Sequence, residues 1–210
     1  TLSIALTPVR GLAAEFDADQ KVVDFAAAPL TVQTGATTSL DINFAGNDGQ
    51  LLEAAGNLTL SVGRFFYVSG DLALRKALAT VTLADESEVL TDLLTLGGTN
   101  LTAFAGLNGP AAAAGAIGFT LSNASFALGL FSTRPDNSGN VRKWTALRAT
   151  AGAVGFIGID GLTLTTNDLL VELNHSADDA DPVIDFSAAP VVIGTGPETS
   201  ETLDFAGDLG

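Results

Sequence analysis

Leu94-Thr95-Leu96-Gly97-Gly98-Thr99-Asn100-Leu101 decides the fold class. Apolar residues sit two apart, a break of small and turn-forming residues follows, and alternation resumes. A period of two is the mark of a strand with one buried face. Asn, Gly and Ser in the break tolerate left-handed or locally hydrogen-bonded backbone, as a tight turn requires. The same form recurs in Leu58-Thr59-Leu60-Ser61-Val62-Gly63-Arg64-Phe65, in Phe119-Thr120-Leu121-Ser122-Asn123-Ala124-Ser125-Phe126 and in Leu162-Thr163-Leu164-Thr165-Thr166-Asn167-Asp168-Leu169. The starts at 58, 94, 119 and 162 are unevenly spaced. Each stretch therefore reads as strand, polar break, strand, with insertions between copies, and not as a strict coil repeat.

Extended along the chain, this pattern predicts strands at 2–6, 30–33, 40–44, 58–61, 65–69, 72–74, 79–83, 93–96, 101–104, 117–121, 125–130, 145–149, 153–157, 162–165, 169–173, 183–186 and 191–193. The best hairpin spans 129–148, because its turn, Pro135-Asp136-Asn137-Ser138-Gly139-Asn140, is almost all turn formers. Residues 87–94, with Glu86 and Glu88 near the start, and 111–114 after Pro110 are the short helix candidates. Many inward positions are Ala, Gly, Val and Leu. A sheet face of small residues packs closely against another sheet. The expected fold is all-β: an elongated, solenoid-like or stacked-sheet repeat continuous between units, with separate β-sandwich modules as the alternative.

A second repetition is longer. Val23-Asp24-Phe25-Ala26-Ala27-Ala28-Pro29 returns as Ile184-Asp185-Phe186-Ser187-Ala188-Ala189-Pro190, an offset of 161. The match continues without a gap through Thr34-Gly35 and Thr195-Gly196, Thr38-Ser39 and Thr199-Ser200, and Phe44-Ala45-Gly46 and Phe205-Ala206-Gly207. From Asp24 to Gly49, 13 of 26 positions are identical, too many for composition alone. The expected organisation is the end of one repeat unit at 1–22, a full unit of 161 residues at 23–183, and the start of the next at 184–210. A first residue other than methionine fits a piece of something longer.

Composition excludes several chemistries. The 210 residues hold no cysteine and no methionine, so thiol nucleophiles, disulfides and Cys-ligated metals are out. A single histidine, His175, excludes multi-histidine metal sites. Nine basic against 24 acidic side chains give a net charge of −15, which disfavours nucleic acid and anionic membranes as partners. No apolar run approaches the roughly 18–20 residues of a membrane-spanning helix. The absence of both sulfur residues suits an oxidising setting.

Taken together, V-D-F-A-A-A-P (Val23 to Pro29) with its following T-G, L-T-L-G-G-T-N-L (Leu94 to Leu101), W-T-A-L-R-A-T-A-G (Trp144 to Gly152) and G-I-D-G-L-T-L (Gly158 to Leu164) resemble tandem units of giant secreted or surface-attached bacterial proteins, the large adhesin-like exoproteins. The resemblance covers essentially the whole chain. It implies architecture and an extracellular or cell-surface location, not an activity.

Candidate sites are few. Asp178, Asp179 and Asp181, in a polar loop with Asp17-Ala18-Asp19 in the partial upstream copy, are the calcium candidates, although no EF-hand or nonapeptide loop surrounds them. Arg142, Lys143 and Trp144 are the one basic-aromatic spot and could meet an acidic patch on a neighbouring copy. His175 beside Asn174 has no nucleophile elbow to serve. Glu86 and Glu88 are spaced for one strand face but lack aromatic sugar platforms. Asn-x-Ser/Thr sequons at Asn57, Asn100, Asn123 and Asn174 sit where turns and strands favour those residues anyway. The expected function is therefore that of a structural repeat in a stalk, fibre, filament or surface layer. Its partners would be neighbouring copies, with no catalysis. The alternative is an adhesin-type module that binds a glycan or protein, with Ca²⁺ as its possible ion.

Overall fold

A computed structural model of the chain describes residues 22–46 and 49–207. The fold is all-β. The chain divides into two compact units, Thr1–Gln50 and Leu51–Gly210. The first contains one antiparallel hairpin, β1 (Leu30–Gln33) with β2 (Ser39–Ile42). The second contains β3 (Leu52–Val62), β4 (Phe66–Thr82), β5 (Glu88–Leu107), β6 (Ile117–Ser132), β7 (Lys143–Ile157) and β8 (Leu164–Ser176), followed by β9 (Val191–Gly194) and β10 (Ser200–Leu203). Strands β3 to β8 form one antiparallel sheet in chain order, so β3 and β8 are its edges; β9 and β10 form a second hairpin. The described residues form neither coil rungs nor a closed barrel, and none of their helices is long and apolar enough to cross a membrane.

Only one of the four strand–break–strand stretches turns. Gly63 (φ 58°) carries the chain from β3 into β4. The other three are single long strands. Asn100, Asn123 and Asp168 adopt positive φ of 53°, 49° and 54° in the middle of β5, β6 and β8, and the β5 register slips on both sides of Leu101. These are β-bulges, which insert one residue and bend a strand without ending it. Asn and Asp reach the left-handed region more readily than other non-glycine residues. The extra residue leaves a mark in the sequence: apolar residues on one face step by two, then three. Ala124 and Leu121 are three apart, yet both pack in one cluster with Leu101, Ala151, Leu72, Phe126 and Val154.

The predicted hairpin at 129–148 is present as β6–β7. The Asp136 carboxylate accepts the Ser138 and Asn140 N–H groups in its turn (2.8 and 2.9 Å). The predicted helix at 87–94 is instead the start of β5. Its backbone pairs with β4 from Thr82↔Glu88 to Leu78↔Asp92, and tertiary pairing outweighs the local helix preference of two glutamates. Residues 111–114 form a turn, with the Ala113 N–H donating to the Pro110 carbonyl. Of the predicted strand at 183–186, only Ile184 bridges, to Leu83. The predicted strand at 2–6 lies outside the described residues.

The main core lies where β9–β10 covers one face of the sheet. It joins Val81, Leu83, Leu93, Phe131 and Trp144 to Ile184, Phe186, Ile193, Leu203 and Phe205. The Phe186 ring meets Phe131 at 5.9 Å and Phe205 edge-on at 5.0 Å. Burying each such side chain contributes about 1.5–3 kcal/mol.

Candidate functional site

The sequence-derived candidates turn out to be mostly structural. Trp144 is 2% exposed, and its indole N–H donates to the Pro182 carbonyl at 2.9 Å. It anchors the core and cannot face a partner. Arg142 stacks its guanidinium 4.8 Å from the Trp144 ring and pairs with Asp181 at 3.0 Å. Lys143 begins β7 and is exposed. Asp178 accepts the Ala180 N–H, and Asp179 is exposed. Among the described residues no three acidic or histidine groups converge to hold a metal, so Asp178, Asp179 and Asp181 do not form a calcium cage as the loop sequence had suggested. The physical reason is that Asp181 turns to Arg142. These side chains line a polar cleft of about 680 Å³ together with Arg134 and Asp136.

His175 and Asn174 are not in the acidic loop but at the end of β8. His175 is exposed opposite Thr145. Asn174 is buried, and its amide donates to the Ile184 carbonyl at 2.6 Å. Asn57 and Asn100 both donate to Asp71, at 3.1 and 3.3 Å. Glu86 and Glu88 flank the β4–β5 turn, with Glu86 at a φ of 66°. A clear role exists for three of the four sequon asparagines as strand or bulge ties.

The one specific surface in the molecule is the sheet face that receives the second hairpin. Its rows run across the strands: Ala73, Gly97, Ala127 and Arg148 in one, Thr95, Gly129, Ala146 and Asn174 in the next. The small residues let the hairpin backbone come very close. A Cβ on Gly97 would lie 2.1 Å from the Gly194 carbonyl oxygen, well inside contact distance. Arg148 reaches up from this floor. It pairs with Glu172 on the sheet (3.2 Å) and with Asp204 on the hairpin (2.7 Å), and it also donates to the Thr202 carbonyl. Composition gave no sign of this clamp, but its signal was present: an arginine in a row of alanines and glycine. The hairpin's entry is held by Asp185, whose carboxyl lies below its ordinary value because the Ser187 hydroxyl and the Ser187, Ala188 and Gly207 N–H groups donate to it.

The opposite sheet face carries Leu74, Leu96, Leu128, Leu147 and Leu173 in one row, paired strand to strand. Leu94, Leu130, Val171 and Leu173 on this face are exposed. An apolar groove of about 290 Å³ opens beside it, between Leu60, Phe66, Leu72, Leu101 and Phe126 near the bulges. No family model, no curated protein and no solved structure matches this chain.

Proposed function

We propose that the chain is a structural repeat of a giant extracellular or cell-surface bacterial protein, part of a stalk, fibre, filament or surface layer. One observation carries this reading. The same hairpin stands at two places 161 residues apart: β9 and β10 have the bounds of β1 and β2 plus 161, and the register Leu30↔Ile42 becomes Val191↔Leu203. The bacterial and extracellular parts rest on the sequence resemblance. Neighbouring copies are then the partners, and the protein performs no catalysis. The finer architecture of this reading is β-structure continuous from unit to unit. Edges β3 and β8 offer unpaired backbone groups that adjoining units would cover. A charge of −15 keeps such an array soluble and self-repelling until salt screens it.

Electron microscopy of the parent protein tests the reading. An extended rod with a regular repeat is expected, and isolated compact particles would overturn it. A glycan- or protein-binding adhesin module is the second reading, favoured by the charged cleft around Arg142 and Asp181. A calorimetric signal with Ca²⁺, or binding on a glycan array, would select it instead.

A further inference from the structure

The two hairpins have the same internal construction. In each, a threonine N–H donates to the carbonyl four residues on (Thr34 to Thr38, 2.9 Å; Thr195 to Thr199, 2.8 Å), and the two threonine hydroxyls meet at 3.2 and 3.0 Å. In each, an aspartate caps the entry. Asp24 accepts from Ala26, Ala27 and Gly46, and Asp185 accepts from Ser187, Ala188 and Gly207.

Their surroundings differ. In the second hairpin Ile184, Ile193 and Leu203 are at most 1% exposed and Phe205 is 7% exposed. The positions 161 residues earlier are also apolar, yet Val23 is 64%, Val32 39% and Phe44 52% exposed. A monomeric surface does not normally retain so ordered an apolar set without a partner.

We infer that the first hairpin, residues 22–46, docks on the small-residue sheet face of a second copy of this chain, namely the preceding repeat unit. The inference rests on the tandem reading for the identity of that copy. The second hairpin shows what the docking looks like. The side chains facing inward are Ile184, Phe186, Ile193, Leu203 and Phe205, and Val23, Phe25, Val32, Ile42 and Phe44 replace them conservatively. Several remaining contacts are to backbone and so do not depend on hairpin sequence. The Asn174 amide goes to the Ile184 carbonyl, and the Asp185 N–H to the Thr82 carbonyl (2.8 Å). Position 194 is glycine in the second hairpin and Gln33 in the first. A Cβ there meets only the Ala73 Cβ, at an ordinary 3.4 Å, so the glutamine fits. Asn43 stands where Asp204 meets Arg148, keeping an acceptor oxygen but losing the ion pair.

On this view the folding unit is out of phase with the sequence period. The period starts at 23, but each sheet is closed by the hairpin that opens the next period.

The test uses the full chain with the sequence of residues 23–46 placed at 184–207. That graft needs twelve substitutions, among them Ile184→Val, Ile193→Val, Gly194→Gln and Leu203→Ile. Two readouts report docking. Trp144, the only tryptophan, lies under the hairpin and is shielded from quenchers only while it is covered. A cysteine pair at Ala73 and position 194 falls at disulfide distance in a chain with no other cysteine. The expected result is a folded graft with Trp144 shielded, the disulfide formed, and a melting temperature within a few degrees of the parent chain. A graft that unfolds, or one that folds with Trp144 open to iodide and no disulfide, overturns the proposal. Its failure is separate from that of the array reading. A working graft alongside compact parent particles would leave the docking standing and remove the tandem array.

Discussion

The two faces of the six-stranded sheet differ in a way that runs against hydropathy. Along each central strand, neighbouring residues point to opposite sides. One side collects Ala73, Gly97 and Ala127, and the other collects Leu74, Leu96 and Leu128. The small face is buried, while the leucine face is partly open. A reading by hydrophobicity alone would bury the leucines. The close approach decides otherwise: a backbone lying on a sheet needs room, and only small side chains leave it. Glycine and alanine at alternate positions therefore mark the covered face more reliably than leucine does.

The contrast can be broken from either side. The largest effect is expected from Phe186→Ala, which empties the centre of the covered face and should cost about 3–5 kcal/mol in chemical denaturation followed by Trp144 emission. Gly97→Ala comes next. Its Cβ must push the Gly194 carbonyl away, and overpacking of this kind costs about 1–3 kcal/mol. Raised quenching of Trp144 would show that the hairpin has lifted.

Acid should act on the same docking. Asp185 is held below the ordinary carboxylate value by its donors. It therefore takes up a proton more readily unfolded than folded. Its contribution is complete above about pH 4 and drains as pH falls through and below that value. Asp185→Asn should flatten part of the acid limb of a melting-temperature profile, while Asp24, Asp85 and Asp136, held low in similar turns, keep the rest. The smallest effects belong to the open face. Leu130→Thr and Leu173→Thr should change stability by no more than about 0.5 kcal/mol. A loss comparable to that of Phe186→Ala would mean that something covers the leucines in solution.

The sequence announced the all-β fold through period-two alternation, and it placed the first hairpin strand at its observed bounds, 30–33. It also carried the twin hairpin as a 161-residue offset. It misled at Asn100, Asn123 and Asp168 because a left-handed residue serves a turn and a bulge alike. Only the step of three between apolar residues separates the two. Trp144 looked like a contact residue because it follows two basic residues, but pairing with Phe131 and Ser176 sets it on the covered face. The Arg148 clamp joins residues more than 50 apart in sequence, and no local pattern reports such a meeting.

The order of the elements also has a consequence in time. The hairpin that closes the sheet follows β8, so it is the last part of the second unit to be made. At a synthesis rate of about 5–20 residues per second, the sheet waits roughly 1–5 s, with Trp144 and Phe131 bare, before residues 184–207 have been added. During that interval the small-residue face can accept any hairpin of the same pattern, whether from its own chain or from a neighbour being made beside it. The spacing between ribosomes on one message, or the pace of export, then decides whether each sheet is closed by its own chain or by the next.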